Sequence, residues 1–231
     1  MKNYLIIGES SGIGQSLTEI LSQDENQVYA TFNSNKPEEQ HRGVNFHFLN
    51  VLEDNLDFSF LPETLDAFAY CPGAIDLKPF HRIKPESFID DYRLQVVGAV
   101  KTLQMVLPRL KAAGKASVVL FSTVAVQTGF NFHSQVAASK GAIEGLTRSL
   151  AAEWAPNIRV NCIAPSLTDT PLAAKLLNTE KKLEANAQRH PLKKIGTPQE
   201  IAQMAGFLLS ENSSWITGQV MHVDGGLSSI K

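Results

Sequence analysis

Near its start the chain runs through four apolar residues, Tyr4-Leu5-Ile6-Ile7, into Gly8-Glu9-Ser10-Ser11-Gly12-Ile13-Gly14 and then a segment of helical period ending near Leu21. A short apolar run, a glycine loop and a helix in immediate succession leave few folds open. Glycines let the backbone turn tightly and approach an anionic group, whose charge then sits at the positive end of the helix. A glycine triplet alone is equally what a plain tight turn looks like. Its place between a first strand and a helix points to the pyrophosphate of a dinucleotide.

The rest of the chain repeats the alternation. Strands are predicted at Tyr4–Ile7, Gln27–Thr31, Asn45–Leu49, Leu65–Tyr70, Ala116–Phe121, Arg159–Ile163 and Val220–Val223. Helices are predicted at Gly12–Leu21, Pro85–Ala113, Val136–Trp154, Pro171–Asn186 and Pro198–Ser210. Short β-rich runs alternating with longer helical ones imply an α/β fold, a parallel sheet covered on both faces. The stretch Asn33–Leu61 lacks helical periodicity, so the crossover there is expected as a loop or single turn. With 231 residues, 43% apolar, and no linker or repeat, residues 1–231 are expected to form a single doubly wound Rossmann domain.

Charge and cysteines narrow the class further. A formal charge of −2 gives no reason to expect nucleic acid or an anionic membrane as partner. Cys71 and Cys162 are too few for a disulfide framework and lack metal-ligand spacing, so free thiols and no metal are expected. The first apolar run is too short for a signal-peptide core, and no stretch reaches transmembrane length. Asn212-Ser213-Ser214 matches a glycosylation acceptor, a triplet common by chance. The expectation is a soluble, cytoplasmic protein with a small-molecule substrate.

The spacing Gly8, Gly12, Gly14 resembles the short-chain dehydrogenase/reductase family, and the likeness extends along nearly the whole chain. Tyr70-Cys71-Pro72-Gly73 lies where the family carries N-N-A-G, and only Gly73 is retained. Ile158 to Ser166 is similar to the I-R-V-N-x-I-x-P-G segment, with Ser166 at the final glycine, and Asp169-Thr170-Pro171 matches the D-T-P that follows. Gly196 to Ala202 and Ile216 to Gly226 resemble the C-terminal signature, read as mostly architectural. The resemblance implies a seven-stranded parallel sheet of order 3-2-1-4-5-6-7. It implies a dinucleotide held by Gly8, Ser10, Ser11, Gly12, Ile13 and Gly14, by Asn33, Ser34 and Asn50 beside the second and third strands, and by Gly73, Lys140, Pro165, Thr168 and Thr170. It also implies a homotetramer or dimer built on the helices Pro85–Ala113 and Val136–Trp154. Leu94, Val97, Leu103, Val106, Ile143, Leu146 and Leu150 would serve a core face and part of a second face.

The family's proton-transfer pair is Y-x-x-x-K, and here the segment reads Val136-Ala137-Ala138-Ser139-Lys140. Residues four apart on a helix face the same way. In the family the lysine lowers the tyrosine pKa and bonds the nicotinamide ribose; opposite a valine, only the second task is left for Lys140. The family's serine falls on Thr123, which keeps a hydroxyl, and its helix asparagine on Gln95, which keeps an amide. No other tyrosine is a good substitute. Tyr4 and Tyr29 read as core and Tyr92 as packing, while Tyr70 ends a strand near the cofactor. His133, three residues before Val136, is the better candidate acid, since imidazole titrates near neutrality; an exposed loop histidine is the plainer reading. His190 is assigned no role. Lys175, Lys181, Lys182, Lys193 and Lys194 near the expected pocket are read as solvated charges.

An NAD site usually carries Asp or Glu at the end of the second strand, to accept from the ribose 2′-hydroxyl. Here that strand ends Thr31-Phe32-Asn33-Ser34-Asn35-Lys36, with no acid before Glu38. Asn33, Ser34 and Lys36 can donate to a 2′-phosphate, which favours NADP over NAD. Two functions follow. One is an NADP-linked oxidoreductase acting on a carbonyl, an alcohol or an activated C=C bond with an atypical proton donor. The other is a catalytically inactive dinucleotide-binding protein or non-catalytic subunit.

Overall fold

The computed structural model describes residues 1–23, 25–35 and 42–230. Seven strands form one parallel sheet: β1 (Asn3–Ile7), β2 (Gln27–Phe32), β3 (Val44–Phe48), β4 (Ala67–Tyr70), β5 (Ala116–Phe121), β6 (Ile158–Pro165) and β7 (Val220–Val223). Their order is β3-β2-β1-β4-β5-β6-β7, as the resemblance implied. The direction of winding reverses between β1 and β4. Ligands of open α/β sheets bind at such a reversal, beyond the carboxyl ends of the strands.

The helices are α1 (Gly12–Ser22), α2 (Pro85–Tyr92), α3 (Gly98–Ala112), α4 (Ala125–Thr128), α5 (Ser134–Trp154), α6 (Ala174–Leu177), α7 (Glu180–Ala187) and α8 (Pro198–Leu209). Alternate residues of the strands feed two cores. Leu5 and Ile7 of β1 join Phe68, Leu103, Val118, Leu120, Ile143 and Val160 beneath α3 and α5. Tyr4 and Ile6 point the other way, to Leu17, Val28, Val119, Ile163 and Leu208 beneath α1 and α8. This period-2 division is what burial on both faces of a parallel sheet requires. The start of α8 is fixed by its sequence: the Thr197 hydroxyl accepts from the Glu200 amide, Glu200 accepts from the Thr197 amide, and Pro198 opens the first turn.

Two predicted helices differ from those observed. Pro85–Ala113 is interrupted by a π turn, Arg93–Val97, between α2 and α3. Pro171–Asn186 is broken into a 3₁₀ turn, Pro171–Ala173, followed by α6 and α7. Asn178 is non-helical and Thr179 caps α7 by accepting from the Lys182 amide, a local competition with the helix that apolar periodicity alone does not register. Among the described residues between Asn33 and Leu61 there is β3 and no helix, as expected of a reduced crossover. Of the apolar residues expected to serve two faces, Leu103, Val106 and Ile143 are spent wholly on the core, and Leu94, Leu146 and Leu150 lie against it half-buried. Only Val97 faces out, and with it Ile89, Met105 and Tyr92; Tyr92 is therefore a surface residue, not packing.

Candidate active site

β1, β4, β5 and β6 stop at one edge of the sheet, and their connections line two adjoining hollows. The first is a cleft of about 400 Å³ bordered by Gly8, Ser10, Ser11, Gly12, Ile13 and Gly14, by Asn33 and Asn50, and by Pro72, Gly73 and Thr170. Gly12 has φ +59°, and a Cβ there would meet Thr170 Cγ2 at 3.1 Å. A Cβ on Gly14 would lie 2.2 Å from the Gly8 carbonyl oxygen, so the loop folds back on the first turn of α1 without clearance. This loop backbone, with glycine at its closest approaches and ahead of an 11-residue helix, suits a pyrophosphate. Asn50 borders the cleft as expected; Ser34 does not, and Lys36 lies outside the described residues. Glu9 is buried inside the loop with Oε2 unpartnered, and burial, then the nearby Glu19, pushes its carboxyl up to about 7.

The second hollow, about 260 Å³, shares Ile13, Cys71, Gly73, Thr170 and Leu172 with the cleft. Its walls are mainly apolar, with Val124, Phe130, Val136, Leu167 and Leu176 among them. The polar groups reaching it include Gln95, Thr123, His133, Lys140, Ser166, Thr168 and His190. A mostly apolar cavity with a few convergent polar groups is the usual form of a small-molecule site.

Val136 and Lys140 lie one turn apart on α5, both buried, both on this wall. Burial pulls the Lys140 ammonium down to about 8, against the opposing fields of Cys162, Asp91 and Cys71. Among the described residues its Nζ has no hydrogen-bond partner. Lys140 Nζ and Gln95 Oε1 both face Gly73, 3.9 and 3.7 Å from where a Cβ would stand. Gln95 lies in the π turn, and its Nε2 donates to both Asp91 carboxylate oxygens at 2.8 Å. Ser139 Oγ donates to the same carboxylate at 2.5 Å. Asp91 thereby fixes which end of the Gln95 amide faces the cavity, leaving Oε1 buried and unpartnered there.

Thr123, half-buried just beyond β5, lines the cavity, and its Oγ1 accepts from the Ala125 amide at 3.3 Å. His133 precedes α5, with Nδ1 2.8 Å from the Asn131 carbonyl, an acceptor that places the proton on Nδ1 and leaves Nε2 free of any partner among the described residues. Tyr70 does not reach the site. Its hydroxyl donates to the Leu94 carbonyl at 2.6 Å within the core, and burial raises its pKa far above the ordinary value. Pro165 and Thr168 line the cavity, and Thr170 borders both hollows.

Two cavity residues escaped the sequence reading. His190 is buried and bonded through Nε2 to Ser166 Oγ at 2.8 Å and through Nδ1 to the Asn186 carbonyl at 2.9 Å. The signal available was Ser166 itself, a hydroxyl at a position the resemblance gives to glycine. Both cysteines are free; burial pushes each thiol up to about 12. No group of metal-binding side chains occurs among the described residues, and no helix there is long and apolar enough to cross a membrane.

Comparison with known proteins agrees with this geometry. Residues 58–228 match the family model described as enoyl-(acyl carrier protein) reductase. The chain is 34% identical to the 3-oxoacyl-[acyl-carrier-protein] reductase FabG of Thermotoga maritima, over 98% of this chain and 97% of that protein. It is 40% identical to a tropinone reductase homolog of Arabidopsis thaliana across 65% of this chain, and that match spans 58% of the plant protein's length. Among solved structures, the ligand-free aldohexose dehydrogenase of Thermoplasma acidophilum superposes with a TM-score of 0.91 at 26% identity, covering 98% of this chain and 94% of that one. The seven-stranded parallel sheet of this order, with helices on both faces, is a Rossmann-type fold. The chain belongs to the short-chain dehydrogenase/reductase family.

Proposed function

We propose that this protein is an NADP-dependent reductase of small carbonyl compounds, or of activated C=C bonds, with an atypical proton donor. The observation that carries the reading is the junction of the two hollows: a glycine-lined cleft runs into an apolar cavity, with Lys140 and Thr123 on the cavity wall. When bound, the dinucleotide supplies a hydride to substrate carbon. Lys140 holds its ribose and Thr123 binds the substrate oxygen. Gln95, clamped by Asp91, turns an acceptor towards Gly73. Val136 stands at the family's tyrosine, so the proton comes from elsewhere in the cavity. His133 is the group the sequence offers, with Nε2 unengaged.

NADP is preferred because no acid occurs from Phe32 to Asn35, and Asn33 borders the cleft as a donor for a 2′-phosphate. One sheet shared by both cores supports reading residues 1–231 as one domain. Exposed Ile89, Tyr92, Val97 and Met105 support a homodimer or homotetramer, and two free thiols suit a reducing, cytoplasmic setting.

Calorimetry with NADPH and NADH, followed by NADPH oxidation over ketones, aldehydes and enoyl thioesters, tests the reading. Tighter NADPH binding with turnover is expected. Tight binding without turnover, in the parent and in Val136→Tyr, would favour a non-catalytic dinucleotide-binding protein.

A further inference from the structure

Two imidazoles border the substrate cavity, and only one is joined to a hydroxyl that faces it. His190 is held on three sides. Its Nδ1 lies 2.9 Å from the Asn186 main-chain carbonyl, which can only accept, so Nδ1 carries a proton in every state of the ring. Its Cβ and Cδ2 pack 3.5 and 3.7 Å from the Cβ position of Gly225, where φ is +61°. Its Nε2 lies 2.8 Å from Ser166 Oγ.

Fixing Nδ1 gives the pair two states. With neutral imidazole, Nε2 accepts the Ser166 proton and the serine oxygen turns lone pairs to the cavity. With imidazolium, Nε2 donates to Oγ, and the Ser166 hydroxyl proton is released to point at whatever the cavity holds. Ser166 is also well placed. The Val124 amide donates to the Pro165 carbonyl at 3.1 Å, so the segments carrying Thr123 and Ser166 leave the sheet side by side. Two hydroxyls from adjacent strand ends therefore border the same cavity.

We propose that Ser166 and His190 form the proton relay of this site, with Ser166 as the catalytic hydroxyl and His190 as the group that charges it. The assignment rests on the reductase reading and names its proton source. As the carbonyl carbon gains a hydride, the developing alkoxide takes the Ser166 hydroxyl proton. Oγ takes the Nε2 proton in the same movement, and the imidazolium becomes neutral imidazole. One O–H bond forms on the product, one re-forms on serine, and one N–H bond breaks. The reverse sequence serves alcohol oxidation.

The test compares acetophenone with 2,2,2-trifluoroacetophenone, whose alkoxide is far less basic and needs its proton less. Ser166→Gly should lower kcat for acetophenone by about 10²-fold, at the lower end of what a general acid contributes. The loss should be at least tenfold smaller for the fluorinated ketone, with KM for NADPH unchanged. His190→Gln should reproduce that split, and Ser166→Thr should restore the acetophenone rate by returning a hydroxyl. Equal losses on both ketones, or a raised KM for NADPH, would mean a structural role and overturn the relay. So would unchanged rates in Ser166→Gly, or a His133→Ala variant that alone shows the split. A parent that binds NADPH but reduces neither ketone, nor any aldehyde or enoyl thioester, would overturn the reductase reading itself, and is told apart from relay failure by the parent's own rate.

Discussion

The two hollows at the sheet edge are built on opposite plans. The cleft is closed on one side by backbone: at Gly8, Gly12 and Gly14 there are no side chains to vary, and a methyl group at Gly14 would collide with the Gly8 carbonyl. The cavity is made of side chains, Val136, Ser166, Gln95 and Thr123 among them, the positions where the sequence resemblance to the family is loosest. A backbone-built site tolerates almost no substitution, whereas a side-chain-built one changes chemistry one residue at a time. The first keeps the cofactor; the second is free to alter the reaction.

Breaking the cleft should have the largest effect. Gly14→Ala forces the loop off the helix and is expected to cost about 2–4 kcal/mol in stability, read from urea denaturation, with loss of NADPH binding. A fold of unchanged stability that still binds would undo the contrast drawn above.

Next in size is Lys140, where cofactor and substrate regions meet. Lys140→Ala should weaken NADPH by about 1.5–3 kcal/mol if it removes a charge-assisted hydrogen bond. The amine of the free protein loses its proton as pH rises through about 8, so affinity in the parent should fall above that pH. Calorimetry at pH 7 and pH 9 checks both, and an affinity independent of pH in this range would remove the lysine from the ribose.

Glu9 tests whether the cleft conceals a titrating group. Its folded carboxyl lies near 7 against 4.5 in a free chain, so the folded state holds the proton more tightly. Stability is then full below about 4.5 and declines as pH rises through 7. Glu9→Gln, which cannot ionise, should equal the parent at pH 4 and exceed it by about 1–3 kcal/mol at pH 8. Identical pH profiles of thermal unfolding would show that the carboxyl is solvated.

The smallest effect is expected at Tyr70. Tyr70→Phe loses the bond to the Leu94 carbonyl, about 1 kcal/mol, with turnover unchanged because the hydroxyl faces the core. A large fall in turnover would return Tyr70 to the active site.

How much of this was legible in sequence follows the same division. Backbone demands appear as residue types at fixed spacing, so the glycine loop and the seven strands could be read. Lys140, Thr123 and Gln95 were found because family motifs mark their positions, and His133 because an imidazole lies three residues before Val136; the structure brings all four to one cavity. Ser166 and His190 were missed as a pair because 24 residues separate them and the contact exists only through the fold. Asp91 was invisible for a similar reason: its carboxylate is claimed by Gln95 one turn away and by Ser139 on another helix. The break at Asn178 and the π turn at Arg93–Val97 were hidden because neither disturbs the apolar pattern enough to register.

That π turn sets the helical phase of everything before it. An α-helix advances by about 100° per residue, so one extra residue in a turn rotates the preceding segment by that angle against the following one. α2 and α3 are in effect a single rod with a twist cut into it. Upstream of the cut, Asp91 turns inward to the Gln95 amide while Ile89 and Tyr92 are turned outward. Deleting one residue between Arg93 and Val97 would restore uninterrupted winding and carry Asp91 and Ile89 round the rod together. The inner clamp and the outer apolar surface are therefore geared to one another, and a change in one is transmitted to the other as rotation.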